Sequence, residues 1–206
     1  FFNDTATTEI YTSLFVGSVS VYKRQHIPLQ SGSDTILKSM RRRYNTDQFR
    51  ETVELVRKTI PDAGITTDII VGFPQEGVKE FAESYSFARS MHFSDMHVFP
   101  YSIRPGTSAA YLDKQVDDTK KKERTGQMLE LAAMAMREFR QASIGQIRPV
   151  LWEPARRNKL DQVWSGLTDN YLRVKANINL ELSNTLTDTR LTGLDGDWMT
   201  GDMVPR

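Results

Sequence analysis

The sequence predicts an α/β fold, a parallel β/α part followed by a small antiparallel β-barrel, and three observations predict it. Residues 26–100 alternate short β-branched runs with amphipathic helical stretches. That strand–helix–strand–helix–strand order implies parallel pairing with right-handed crossovers. A long amphipathic stretch over about 117–141 follows, and beyond Gly145 the apolar period changes from that of a helix to two.

Each element has its own signal. His26-Ile27-Pro28-Leu29-Gln30 reads as the end of a short strand, and Ser31-Gly32-Ser33 as a turn, with Ser33 placed to cap a short helix carrying Ile36, Leu37 and Met40. Asn45 or Thr46 caps a longer helix over Asp47–Thr59, where Phe49, Val53, Val56 and Ile60 form one apolar stripe, and Pro61 ends it. Residues 65–71 are β-branched and nearly continuous in apolar character, as in a strand buried on both faces. Gly72-Phe73-Pro74 turns into a helix over about 78–91 with Phe81, Tyr85 and Ala88 on one side. Residues 96–100 are a further strand, ending in the Arg104-Pro105-Gly106-Thr107 loop. In the long helix Met128, Leu131, Ala135 and Phe139 share a face. Strands of the small barrel are read at 150–152, 163–164, 171–175 and 191–192. The domains predicted are 26–142 and 143–206; residues 1–25, which resemble translated adapter sequence, are expected to be foreign or disordered.

Composition excludes several classes. The chain has 206 residues with 27 Lys+Arg against 26 Asp+Glu, so its net charge of +1 creates no global field toward nucleic acid or membrane. It contains no cysteine, which removes disulfides, cysteine nucleophiles, thiolate-zinc sites and thiolate-ligated iron–sulfur clusters within these residues. No apolar run reaches the roughly 18–20 residues of a membrane span. A cytoplasmic protein with no membrane partner is the expectation.

In parallel α/β folds, ligands bind beyond the carboxyl ends of the strands. Three such ends combine glycine with short polar side chains: Gln30-Ser31-Gly32-Ser33, Gly72-Phe73-Pro74-Gln75-Glu76 and Tyr101–Thr107. Turn chemistry alone is the plainer reading of each loop. Asp68, a carboxylate within an apolar strand, either faces a polar cavity, where with Thr66 it would suit ligand hydroxyl or amine groups, or has a structural partner. The histidines His26, His92 and His97 show no metal-ligand spacing, so no metal site is read; His26 and His97 beside strand residues read as satisfied core histidines. Arg41-Arg42-Arg43 is either a solvated face or a phosphate contact. In the small barrel Trp164, Tyr171, Arg173 and Lys175 interleave aromatic and basic groups, a pattern suited to stacking on bases. Residues 145–206 nevertheless balance eight Lys+Arg against eight Asp+Glu, so core roles for Trp164 and Tyr171 stay open. Arg156-Arg157-Asn158-Lys159 adds a local basic loop.

Four strings in order, His26–Asp34, Met40–Tyr44, Thr67–Pro74 and His97–Ser102, resemble the radical S-adenosylmethionine tRNA methylthiotransferases, and Gly166–Val174 resembles the TRAM barrel that follows in that family. The Arg-Arg-Arg-Tyr and His-Val-Phe-Pro-Tyr-Ser strings are most like the branch acting on N6-threonylcarbamoyladenosine. The resemblance implies the C-terminal part of a radical-SAM partial parallel β/α barrel followed by an RNA-binding TRAM-like barrel. It implies a parent enzyme that installs a methylthio group at C2 of a modified adenosine beside the anticodon. Such a parent uses S-adenosylmethionine and two 4Fe-4S clusters, takes tRNA, and needs a sulfur donor and an electron donor. Neither cluster would be ligated by this cysteine-free chain, which is expected to be inactive alone. Carried over by strand-end position, Gln30, Ser31, Asp68, Glu76 and Tyr101 would line the cofactor cavity, Arg104 would lie near the nucleotide, and Tyr171, Arg173 and Lys175 would meet tRNA; no catalytic residue is assigned. The chain departs from the family pattern at Gln75-Glu76-Gly77, where Gly-Glu-Thr is usual, and at Ile103 and Ser108, where Pro is usual. Rival readings are a parallel-barrel lyase, which would need a lysine or metal cluster at a strand end, and a non-catalytic RNA-binding module.

Overall fold

A computed structural model describes residues 23–153 and 163–205. The chain divides into two compact units, Arg24–Ser143 and one containing Ile144–Arg206.

The first unit runs β1 (Arg24–His26), α1 (Asp34–Ser39), α2 (Thr46–Thr59), β2 (Gly64–Val71), α3 (Val78–Ser90), β3 (Asp95–Pro100) and α4 (Asp118–Ala142), with a 3₁₀ turn at Ser108–Tyr111. The three strands form one parallel sheet in the order β1-β2-β3. The β1 register pairs Arg24 with Gly64 and Gln25 with Ile65, so the domain boundary expected at residue 25 falls inside a strand; residues 1–22 lie outside the described residues.

Alternation along the strands sorts the two faces of the sheet. Ile65, Ile69, Val71 and Met96 pack into one core with Phe49 and Val53 of α2, Phe81, Phe87 and Ala88 of α3, and Met128, Leu131 and Ala132 of α4. The α2 stripe is buried at Phe49 and Val53, while Val56 and Ile60 pack against the core's edge. Its N-terminus is closed by a reciprocal box: the Gln48 backbone N–H donates to Asn45 Oδ1 at 2.9 Å, and the Asn45 N–H donates to Gln48 Oε1 at 3.1 Å. Ser33 precedes α1 but makes no side-chain cap; its hydroxyl donates instead to Glu83 Oε2 of α3 at 2.6 Å. On the other face of the sheet His26, His97 and Phe99 are exposed and Asp68 is partly so.

The second unit is a closed barrel of β4 (Ile147–Trp152), β5 (Val163–Thr168), β6 (Arg173–Asn177), β7 (Leu186–Asp195) and β8 (Trp198–Met203), in the order β4-β5-β6-β8-β7. It is not wholly antiparallel: β6 and β8 run parallel. An odd number of strands cannot close a ring with every neighbour reversed, so at least one parallel pair is required. Trp152, Val174, Leu191 and Met199 fill the interior, with Trp152 Nε1 donating to Thr187 Oγ1 at 2.8 Å. Trp164 is 5% exposed and belongs to this core, one of the two readings left open for it. Gly166 serves close approach: a Cβ there would sit 2.6 Å from the Leu151 carbonyl oxygen. The hairpin joining β7 to β8 turns through Gly196-Asp197, with Gly196 at φ +60°, and β8 itself goes beyond the strands read from the sequence.

Candidate functional site

The carboxyl ends of β1, β2 and β3 lie side by side, and the three loops read as a rim leave the sheet there. Gln30 forms a parallel bridge with Ile69, so the first loop begins level with the end of β2. The Gln30 backbone has φ +67°, which turns the chain sharply into Ser31-Gly32. Gly32 is required by packing. A Cβ at that position would lie 2.8 Å from both Ser84 Cα and Phe87 Cβ, and the Gly32 N–H donates to Ser84 Oγ at 2.9 Å. The loop therefore rests directly on the backbone of α3.

Gln30 and Ser31 are both buried; Gln30 Oε1 accepts from Arg42 Nη2 at 3.0 Å and Ser31 Oγ accepts from the Ser33 N–H at 3.2 Å. The Tyr44 hydroxyl donates toward the Pro28 and Leu29 carbonyls at 3.0 Å each. Arg42 and Tyr44 of the Arg-Arg-Arg-Tyr string thus brace the first rim loop. Gly72, with φ +75°, starts the second loop. Its N–H donates to Glu76 Oε1 at 2.9 Å, and Arg124 Nη1 of α4 donates to that same oxygen at 2.9 Å. Glu76 is buried by this arrangement and holds the loop in shape. Burial pushes its carboxyl above the ordinary value, and the Gly72 N–H and Arg124 offset this in part. Tyr101 packs its ring edge-on against Phe73 at 5.1 Å, and its buried hydroxyl has no hydrogen-bond partner among the described residues. Buried hydroxyls are normally satisfied, so Tyr101 is the point on this rim where a ligand's polar atom has most to offer. Arg104 is exposed in the third loop.

Asp68 is not a lone carboxylate. On the open face of the sheet its Oδ2 lies 3.3 Å from His26 Nε2 and its Oδ1 lies 3.2 Å from His97 Nδ1. The two imidazoles stack at 5.7 Å between centroids. This corrects the reading of His26 and His97 as satisfied core histidines: both are exposed, and with Asp68 they present three donor atoms within 4.8 Å of one another. Sequence spacing carries no trace of the cluster because the parallel register creates it, setting Asp68 beside His97 and His26 beside Thr66.

In the barrel, Tyr171 is exposed but lies in the turn before β6 with φ +68°, not on the strand. The expectation of a strand beginning at Tyr171 is thereby corrected: the strand begins at Arg173. Arg173 holds its guanidinium over the Trp198 ring at 5.6 Å. Lys175 is paired with Asp195, and the surface depression beside it also includes Asp202. The Arg156–Lys159 loop lies outside the described residues.

Of the rim groups, the Tyr101 hydroxyl lacks a partner among the described residues and could take a polar atom of S-adenosylmethionine, while Gln30 Oε1 and Ser31 Oγ already accept from Arg42 and Ser33. The described residues do not fit an iron–sulfur cluster, since the chain has no thiolate to give.

Residues 15–88 match the Radical SAM superfamily model. The chain is 38% identical over 158 residues to the threonylcarbamoyladenosine tRNA methylthiotransferase MtaB of Bacillus subtilis, covering 76% of this chain and 35% of that protein. It is 45% identical over 132 residues to the tRNA-2-methylthio-N(6)-dimethylallyladenosine synthase of Clavibacter michiganensis, covering 64% of this chain and 25% of that protein. The synthase of the same name from Syntrophotalea carbinolica is 36% identical over 170 residues, 82% of this chain and 39% of that protein. Coproporphyrinogen III oxidase (HemN) from Escherichia coli, described as a radical SAM enzyme, superposes with a TM-score of 0.48 at 10% identity, covering 82% of this chain and 44% of that one. The chain spans well under half the length of the curated relatives it matches. Over the stretch it shares with them, it belongs to the radical S-adenosylmethionine tRNA methylthiotransferase family.

Proposed function

We propose that this chain supplies one part of the S-adenosylmethionine rim and the RNA-binding barrel of an enzyme that installs a methylthio group at C2 of a modified adenosine beside the tRNA anticodon. The single observation that carries the reading is the similarity to MtaB across 158 residues, 76% of this chain. When bound, S-adenosylmethionine would supply the radical chemistry at C2. The protein's part is binding and orientation. Gln30 and Ser31 would hold polar groups of the cofactor, the Tyr101 hydroxyl would gain its missing partner, and Arg104 would lie toward the nucleotide. Glu76 acts through the loop it holds, and Asp68 acts with its two histidines. The second unit, a closed five-stranded barrel, is read as TRAM-like, with Arg173, Tyr171 and Lys175 toward tRNA. Thiolate ligands for the clusters, a sulfur donor and an electron donor must come from outside these 206 residues.

The substrate within this reading is N6-threonylcarbamoyladenosine. Support comes from the Arg41–Tyr44 and His97–Ser102 strings, the first of which braces Gln30, and from the 38% identity to MtaB. Relatives named for dimethylallyladenosine match over 132 residues at 45% identity and over 170 residues at 36%, and they furnish the second reading. Nucleoside mass spectrometry separates the two. A full-length gene for the proposed enzyme, carrying this chain's sequence, is expressed in a host stripped of its own methylthiotransferases, and its tRNA is hydrolysed. A methylthiolated threonylcarbamoyladenosine is expected; a methylthiolated dimethylallyladenosine would move the assignment to the other branch. Absence of both, with the protein present, would overturn the reading.

A further inference from the structure

We propose that His26, Asp68 and His97 form a binding site for one divalent transition-metal ion of the zinc type, on the open face of the parallel sheet. The inference does not rest on the proposed function: it needs neither cysteine nor S-adenosylmethionine.

Spacing is the first argument. Zinc holds imidazole nitrogen and carboxylate oxygen at about 2.0–2.2 Å, so two such donors across a tetrahedral angle stand roughly 3.3 Å apart. The donors here stand 3.3 Å apart (His26 Nε2 to Asp68 Oδ2) and 3.2 Å apart (His97 Nδ1 to Asp68 Oδ1). The Thr66 hydroxyl is the second argument. It has the Gln25 carbonyl as an acceptor at 3.5 Å and lies 3.0 Å from His26 Nδ1, on the side of the ring away from the Nε2 that faces Asp68 Oδ2 at 3.3 Å. The support around the ligands is the third argument. Histidines that bind metals usually give their second ring N–H to a hydroxyl, carbonyl or carboxylate. His26 has Thr66 in that role, while Asp95 Oδ2, 3.9 Å from His97 Nε2, lies beyond hydrogen-bond distance.

The donor set selects the ion. Two imidazoles with one carboxylate suit zinc, iron(II) or cobalt(II) better than magnesium or calcium, which take oxygen ligands. Exposure of both histidines leaves the remaining coordination positions to water or a ligand.

The test uses the untagged 206-residue chain, titrated with Zn²⁺ by calorimetry and with Co²⁺ by visible absorption. One ion per chain is expected, with Co²⁺ ligand-field bands that Zn²⁺ abolishes. His26→Ala, His97→Ala and Asp68→Asn should each weaken binding at least about tenfold, and Thr66→Val by a comparable factor through loss of support to His26. His92→Ala, which removes the third histidine, should bind as wild type; circular dichroism confirms folding. Without any variant, Co²⁺ should shift the imidazole proton resonances of two histidines and spare the third. Three results would each overturn the proposal: no stoichiometric binding; affinity unchanged in folded His26→Ala and His97→Ala; or Co²⁺ shifts on His92. None of these would bear on methylthiotransfer, which the nucleoside assay tests separately.

Discussion

Glu76 and Arg124 meet at 2.9 Å with both side chains nearly out of water, and this contact ties the second rim loop to α4. Arg124 also donates to the Glu76 carbonyl at 2.8 Å and covers the Phe81 ring at 5.3 Å. Removing Arg124 leaves a buried carboxylate with only the Gly72 N–H in support. Arg124→Ala is therefore expected to cost about 3–5 kcal/mol in chemical denaturation. A loss below about 1 kcal/mol would show that water replaces the guanidinium without penalty.

The same carboxyl gives a pH prediction. Burial raises the Glu76 value in the folded chain, so the folded state takes up its proton more readily than the unfolded state does. Stability from such a group is fully present below the unfolded glutamate range and is lost as pH rises through the folded value. The stability of wild type relative to Glu76→Gln should thus decline from about pH 4 toward neutrality. A difference that grows over that interval would mean the Arg124 pairing outweighs burial.

Gln75 stands where the family pattern has glycine, and its φ is +73°. Left-handed backbone costs a residue with a Cβ roughly 1–2 kcal/mol. Gln75 recovers part of this by accepting from Ser39 Oγ at 2.8 Å. Gln75→Gly and Gln75→Ala both lose that bond, so comparing them isolates the backbone. Gln75→Gly should be more stable than Gln75→Ala by about 1 kcal/mol. Equal stability would place the strain elsewhere in the loop.

How far the sequence reveals this molecule depends on the kind of signal involved. The α2 stripe at Phe49 and Val53 and the apolar run of β2 are legible because burial selects apolar residues there, although β2 is fully buried on one face only, its other face opening at Asp68 and Ile70. The rim loops are legible because a sharp turn and a close approach to Ser84 demand glycine at fixed places. The bracing of Gln30 by Arg42 and the closure of the Gly72 loop by Arg124 are not, since each joins residues that only the folded chain brings together. The His26–Asp68–His97 cluster is hidden for the same reason. Tyr171 falls off its expected strand because alternation does not reveal where a turn with positive φ ends and a ladder begins.

Arg173 and Lys175 differ in what they can offer an RNA phosphate. Lys175 already neutralises Asp195, whereas Arg173 lies over Trp198 with no carboxylate in the salt-bridge geometry described. Arg173→Ala should weaken tRNA binding at low salt and lower the log–log salt slope by somewhat under one unit, and Lys175→Ala should do less. Tyr171→Ala should cost about 1–3 kcal/mol if the exposed ring stacks on a base, with little change in slope. Filter binding at several salt concentrations measures all three. Unchanged affinity and slope in folded variants would make this face structural.

The isolated chain should be catalytically silent, because it has no cysteine to ligate a cluster. After incubation with iron and sulfide it should show no stoichiometric cluster absorbance and form no 5′-deoxyadenosine from S-adenosylmethionine. Reductive cleavage by the 206-residue chain alone would contradict this.

The central claim is that this rim serves tRNA methylthiolation, and one comparison tests it most directly. Methylthiolated adenosine is quantified in tRNA from a stripped host that expresses that full-length gene either unaltered or carrying Gln30→Ala with Tyr101→Phe, at matched protein levels. The account predicts the modified nucleoside with the unaltered gene and at least a tenfold loss with the altered rim. Full modification by the altered protein, or none by the unaltered one, would contradict it.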